Sequence, residues 1–187
     1  ASALARSFGI PVEAVRAALL AFRTDQHRSE LVATRAGIRW VNDSKATNAH
    51  AARASLESFD SLVWIVGGLL KGASIDALVA AAAPRLRGVI VIGNDRATIV
   101  ESLARHAPEL PVFEVVTPDT NEVMPTAVQL AASIAVDGDT VLLAPAAASM
   151  DQFRNYADRG ALFVSAVREL LGGGADDDEP SAFPAAT

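Results

Sequence analysis

Leu62-Val63-Trp64-Ile65-Val66-Gly67-Gly68-Leu69-Leu70-Lys71-Gly72 decides how the rest of the chain is read. Five apolar residues run without a polar break and stop on a glycine pair. Such a run is short for a helix, and it lacks the alternation of a strand with one wet face. A strand that is apolar on both sides belongs inside a parallel sheet covered by helices on each face. Similar runs recur downstream at Gly88–Ile92, Val112–Val116 and Thr140–Leu143. Between and around them the spacing predicts helices near Ala46–Ser58, Ser74–Ala83, Asp95–His106 and Asn121–Val136. A last helical stretch covers Met150–Leu171, with a break expected near Gly160. Upstream, Glu30–Thr34 and Ile38–Asn42 alternate with period two around Arg35-Ala36-Gly37 and read as a β-hairpin. Right-handed crossovers then give an α/β, Rossmann-like, doubly wound, mostly parallel sheet with a leading β-hairpin.

Outside this alternation lie two further regions. Ala1–Phe8 and Pro11–Phe22 read as helices, with Val12, Val15, Ala18, Leu19 and Phe22 at helical spacing. Helices that start at the first residue point to a chain taken from something longer. After Leu171 the sequence turns to Gly172-Gly173-Gly174 and then to acidic, proline-containing residues, too poor in apolar side chains to order themselves. The expected organisation is therefore a helical lead over 1–24, one domain over 25–171, and a disordered acidic tail over 172–187.

Composition removes several functions. The chain of 187 residues has no cysteine, which excludes disulfides and thiolate metal sites. Its net charge is −6, of which Asp176, Asp177, Asp178 and Glu179 supply −4. The remainder carries only −2 and shows no arginine–lysine stripe of the kind that binds nucleic acid. No apolar run approaches the roughly 20 residues that cross a bilayer, and no signal peptide opens the chain. A cytoplasmic location is expected. His27, His50 and His106 are scattered without metal-ligand spacing, so no metal site is expected from these residues.

Ligands of an open parallel sheet gather at the carboxyl ends of its strands. Those ends read Asn42-Asp43-Ser44-Lys45-Ala46-Thr47-Asn48, Gly67–Gly72, Gly93-Asn94-Asp95-Arg96 and Ala144-Pro145-Ala146-Ala147-Ala148-Ser149. The first is the densest. One residue of it can cap the following helix; six polar residues out of seven exceed what a cap needs, and a helix start also favours an anion. In Gly67–Gly72 the glycines admit close approach and Lys71 places a point charge beside them, suited to carboxylate or phosphate; an exposed lysine in a flexible turn is the competing reading. Arg28 offers the fork that matches phosphate, or else a structural ion pair. The G-x-x-x-x-G-K-[ST] phosphate loop is absent from the sequence, and so is a G-x-G-x-x-G turn after the first strand.

Taken together, His27-Arg28-Ser29-Glu30, Ile38–Asn48 with its Asn-Asp-Ser-Lys-Ala-Thr-Asn block, Gly67-Gly68 with Lys71, and Leu142–Phe153 resemble the Mur ligases, over roughly residues 25–170. Within that family the block is similar to the branch that adds D-glutamate. The resemblance implies an ATP-dependent ligase in which ATP phosphorylates the terminal carboxylate of UDP-N-acetylmuramoyl-L-alanine and the amine of D-glutamate attacks the acyl phosphate. It implies that this chain is the carboxyl-terminal domain. The phosphate loop, and most ligands of magnesium, would then lie in a central domain outside it. The chain alone is expected to be inactive, and the enzyme a monomer.

By the same resemblance, Arg28 and Lys45 are the catalytic cations near the phosphates, and Arg28, Asp43 and Lys45 bind ATP, with Asp43 toward the ribose. Thr47, Lys71, Ser149 and Tyr156 form the D-glutamate pocket. Tyr156 stands where the family often has phenylalanine, Met150 where leucine is common, and Leu69-Leu70 makes the turn before Lys71 more apolar than is usual. Two other readings remain: a ligase of the same family for another amino acid, and a stand-alone ligand-binding module on this fold.

Overall fold

The computed structural model describes residues 2–21 and 26–172. The expected tail over 172–187 thus lies almost wholly outside the described residues, as do Ala1, Phe22, Arg23 and Thr24 of the helical lead. Six strands form one sheet in the order β1-β2-β6-β3-β4-β5. They span Glu30–Arg35 (β1), Ile38–Asn42 (β2), Leu62–Gly67 (β3), Leu86–Ile92 (β4), Val112–Glu114 (β5) and Thr140–Leu143 (β6). The β1–β2 pair is antiparallel, turning at Ala36-Gly37, and the pairs β2–β6, β6–β3, β3–β4 and β4–β5 are parallel. The doubly wound sheet with its leading hairpin is therefore present as expected.

Two apolar layers cover the sheet. Helices α3 (Ala49–Leu56), α4 (Asp76–Ala82) and α5 (Arg96–His106) pack with Trp64, Val66, Val91 and Leu142 on one face. Helices α6 (Val123–Ile134) and α7 (Tyr156–Leu170) pack with Val63, Ile65, Ile90 and Leu143 on the other. Alternate residues of β3 serve opposite cores, which is why its sequence has no polar face. Burying each such side chain contributes on the order of 1.5–3 kcal/mol relative to leaving it in water. The leading helices, α1 (Ser2–Ser7) and α2 (Val12–Ala21), bury no residue.

Most bounds shift by a residue or two; two helix starts shift further, and one expected break is absent. Helix α3 starts at Ala49 and not Ala46, because Asn48 caps it by accepting the Ala51 N–H at 2.9 Å. Helix α7 starts at Tyr156 and not Met150, because Asn155 caps it by accepting from Asp158 N–H. The break expected at Gly160 does not occur. This helix runs through Gly160, which is glycine for a different reason: a Cβ there would lie 2.4 Å from Nδ1 of His27.

At the amino end of β6, Asp139 ties three elements together. One carboxylate oxygen accepts from Ser61 Oγ at 2.5 Å; the other takes Arg87 Nε and the Val136 N–H. Burial alone would raise its pKa, but the bonds from Arg87, Ser61 and Val136 outweigh burial and hold it below the ordinary carboxylate value. Losing the carboxylate leaves these donors unmatched, so Asp139→Ala should cost about 2–3 kcal/mol in urea unfolding at pH 7. A depressed folded pKa means that the stability is present above the unfolded value, about 4, and is lost as pH falls through the lower folded value. The gap between wild type and variant should thus be flat from about pH 5 to 8 and narrow below about pH 4. A gap of the same size at pH 3 would contradict this account.

Candidate functional site

Strand β6 lies between β2 and β3. The helix after β6 covers one face, while those after β2 and β3 cover the other. The switch points of the sheet therefore flank the carboxyl end of β6, where an α/β sheet opens a ligand crevice. The ends of β2, β6 and β3 bring Asn42–Asn48, Ala144–Ser149 and Gly67–Gly72 to this one edge, as the sequence predicts.

The loops are joined to one another. Leu69 and Ala148 pair reciprocally, N–H to carbonyl, at 2.8 and 3.0 Å. Gly67 N–H also donates to Pro145 carbonyl at 2.9 Å. Gly68 makes the approach possible: with φ of 134° and a virtual Cβ only 2.1 Å from the Ala148 carbonyl oxygen, no side chain fits. The pairing brings the turn that carries Lys71 next to the loop that carries Ser149. Ser149 itself is buried, and its carbonyl accepts from Gln152 and Phe153.

A residue outside the sequence motifs locks the arrangement. Arg159 of α7 is fully buried. Its Nε donates to Ser44 Oγ at 3.0 Å and its Nη2 to the Ser44 carbonyl at 2.9 Å. Nη1 reaches the Ala147 carbonyl at 3.2 Å and the Gly67 carbonyl at 3.5 Å. One guanidinium thus holds the ends of β2, β6 and β3. Burial lowers its pKa to about 10, an effect that nearby Asp151 opposes, so it stays charged at neutral pH. Ser44 in turn donates to the Tyr156 carbonyl at 2.7 Å, which fixes the first turn of α7. The Tyr156 side chain is partly exposed, at 38%. The sequence did carry a signal for Arg159. It stands at helical spacing with Phe163, Ala166 and Val167, a charge on an apolar stripe.

The segment before β1 folds over the end of β2. Asn42 is buried, and its amide donates toward His27 Nδ1 at 2.9 Å and the Gly160 carbonyl at 3.2 Å. Lys45 N–H donates to the His27 carbonyl at 3.0 Å, and Ser29 N–H to Asp43 Oδ1 at 3.2 Å. Arg28, between His27 and Ser29, is exposed and sits beside the Asn42–Lys45 loop. Asp43 is only 5% exposed, and its second oxygen accepts from the Ser55 hydroxyl of α3. Thr47 is half-buried just ahead of α3, and its N–H is held by the Lys45 carbonyl. Lys71 is exposed, with φ of 54°. Among the described residues no group of three or more carboxylates or imidazoles could hold a metal ion, and no helix is long and apolar enough to cross a membrane.

The chain has clear counterparts among known proteins. The family described as "Mur ligase, glutamate ligase domain" matches residues 27–147. The chain belongs to that family. A protein named UDP-N-acetylmuramoylalanine–D-glutamate ligase from Leifsonia xyli is 59% identical over 98% of this chain, which spans 36% of that protein's length. Among solved structures, a UDP-N-acetylmuramate–alanine ligase from Thermotoga maritima superposes with a TM-score of 0.61 at 17% identity, covering 90% of this chain and 36% of that one. A Mycobacterium tuberculosis folylpolyglutamate synthase complexed with ADP gives 0.57 at 21% identity, covering 90% and 37%. At these identities the two structures show a shared fold.

Removing the Arg159 guanidinium would strand the carbonyls of Ser44 and Ala147. Arg159→Met should therefore lower the stability of this chain by about 3 kcal/mol in urea unfolding. Arg159→Lys should recover only part, because an ammonium lacks the fork that serves three loops. Full recovery by lysine would show that charge, and not geometry, is what the loops require.

Proposed function

We propose that this domain is the amino-acid-accepting part of an ATP-dependent ligase that joins D-glutamate to UDP-N-acetylmuramoyl-L-alanine. The observation that carries the reading is the likeness, over almost the whole chain, to a ligase of that name. The geometry agrees with it. A bound D-glutamate needs a cation for its side-chain carboxylate and donors for the other, at a place where its amine can face an incoming acyl group. Lys71 and the Ser149 loop supply the first, held together by the Leu69–Ala148 pair. Thr47 and Tyr156 border the same edge, from the β2 loop and the start of α7.

In this reading ATP is a substrate, and its γ-phosphoryl group passes to the alanine carboxylate, releasing ADP. The D-glutamate amine then attacks the carbonyl carbon. Phosphate leaves with the electrons of the C–O bond, and the nitrogen gives up a proton as the amide forms. Such transfers depend mainly on positioning and on neutralising charge at the phosphoryl oxygens. Arg28 and Lys45 are the cations this domain offers, both from segments pinned through His27. Asp43 already binds Ser29 and Ser55; a carboxylate has about four acceptor sites, which leaves capacity for a ribose hydroxyl. The residues described here hold no cluster fit for magnesium, so the ion would arrive with the nucleotide or be held by a central domain. The parent ligase is proposed to act as a cytoplasmic monomer, with this domain closing on the nucleotide-binding parts.

The test is phosphate release by the full-length protein that carries this chain, with ATP, magnesium and UDP-N-acetylmuramoyl-L-alanine. Acceptors are D-glutamate, L-glutamate, L-lysine, diaminopimelate or none. Turnover is expected with D-glutamate and not with the others, and none from the isolated chain. A cation–carboxylate hydrogen bond contributes about 1.5–3 kcal/mol, so Lys71→Ala should raise the D-glutamate KM about ten- to a hundredfold while the KM for ATP holds. Turnover with another acceptor would change the substrate. Binding without turnover in the full-length protein would leave a ligand-binding module.

A further inference from the structure

Asp95 stands at the N-cap of α5, where a carboxylate ordinarily accepts from the first amides of its own helix. Its side chain makes no capping bond. Instead Oδ2 accepts from the N–H of Leu70 at 2.7 Å, across to the loop after β3. The Asp95 N–H returns to the same loop, donating to the Gly68 carbonyl at 3.3 Å. One residue at the end of β4 therefore brackets the stretch that leads into Lys71.

That stretch needs bracketing. Lys71 and Gly72 both have positive φ, 54° and 77°, and the turn closes through Ala73 N–H to the Leu70 carbonyl at 3.0 Å. A left-handed conformation costs a residue with a Cβ about 1–2 kcal/mol, and it persists where the flanks over-determine it. On one side the flank is the Leu69–Ala148 pair. On the other it is the Leu70 N–H held by Asp95. The Leu70 side chain is buried in the core, while a groove of about 420 Å³, lined by Leu70, Gly72, Ser74, Asp95, Thr98 and Ser102, leaves open space beside the turn. Without the carboxylate the Leu70 N–H loses its partner, and the backbone that carries Lys71 can shift toward that groove.

We infer that Asp95 is a positioning residue that aims the Lys71 ammonium at the carboxylate of the amino-acid substrate. The inference rests on the proposed role of Lys71 and gives Asp95 a task that capping α5 does not require. Asp95→Ser tests it, since serine still caps a helix but is too short to reach Leu70. Asp95→Asn keeps an acceptor at the same length.

In the full-length protein, with ATP and UDP-N-acetylmuramoyl-L-alanine saturating, Asp95→Ser should raise the D-glutamate KM about tenfold, with a much smaller change in kcat. Asp95→Asn should restore most of the loss. In the Lys71→Ala background Asp95→Ser should add almost nothing, because the two residues act through one contact. On this chain, Leu70 amide exchange should speed up about tenfold in Asp95→Ser, with that of Leu103 in the same helix unchanged. An unaltered KM, or penalties that multiply in the double variant, would overturn the inference and leave the proposed function standing. If the wild-type full-length protein ignores D-glutamate, the proposed function fails and takes this role with it, even where Leu70 exchange responds.

Discussion

Irregular backbone at the carboxyl edge of a parallel sheet raises a problem of unpaired carbonyls. Where β2, β6 and β3 stop, their ladders stop too, yet the loops that follow remain buried and cannot turn to water. Arg159 resolves this by placing five N–H donors on a rigid plane among the Ser44, Gly67 and Ala147 carbonyls and the Ser44 hydroxyl. Burying a guanidinium is costly by itself, and its pKa falls to about 10 for that reason. The cost is offset because each loop gains a charged donor in a place of low dielectric, where such bonds are strongest. The ligand edge is therefore held from behind, by a residue that never reaches the solvent side.

The two ends of β6 obey the same rule with opposite sign. Asp139 precedes the strand and gathers Ser61, Arg87 and Val136 at the amino edge; Arg159 follows it in the chain and gathers three loops at the carboxyl edge. Between them, Leu142 of β6 enters one core and Val141 and Leu143 enter the other. Apolar burial brings the layers together without specifying their ends, since the hydrophobic effect has no direction. The buried charges supply the direction. Sheet order follows from the apolar pattern, and the positions of the loops follow from a few hydrogen bonds at each edge.

The same division explains what could be read in the sequence. Strands β3, β4 and β6 and the hairpin were legible because apolar runs and period-two alternation are local signals. The starts of α3 and α7 were not, because Asn48 and Asn155 each lie inside a polar stretch in which several residues could cap. Gly160 looked like a breaker; its reason is His27, 133 residues earlier in the chain, which sits against α7 and bonds to Asn42. Asp43 shows the limit from another side. A carboxylate in a dense polar motif reads as ligand-facing, but its bonds to Ser29 and Ser55 arise only once the β2 end, the preceding turn and α3 have met. The candidate residues were brought to one edge because strand ends are predictable. Their supports were missed because supports are long-range contacts.

Burial then sorts the polar residues of this edge into two groups. Asn42, Asp43, Ser44, Ser149 and Arg159 are all at or below 5% exposure. Arg28 and Lys71 are exposed, and Tyr156 partly so. Within the first group, Asn42, Asp43, Ser44 and Arg159 bond to backbone and to neighbouring side chains such as His27 and Ser55, so changing one of these disturbs several segments at once. The second group rides on backbone that the first has fixed, and a side chain there can change without loss of the frame. A fold built this way can change what its exposed tips present while the loops keep their frame. The turn at Lys71 is the clearest case, because its base is tied by Leu69 and Leu70 and its tip is open. The chemistry presented at that tip is set by one side chain, and its aim by the backbone beneath it.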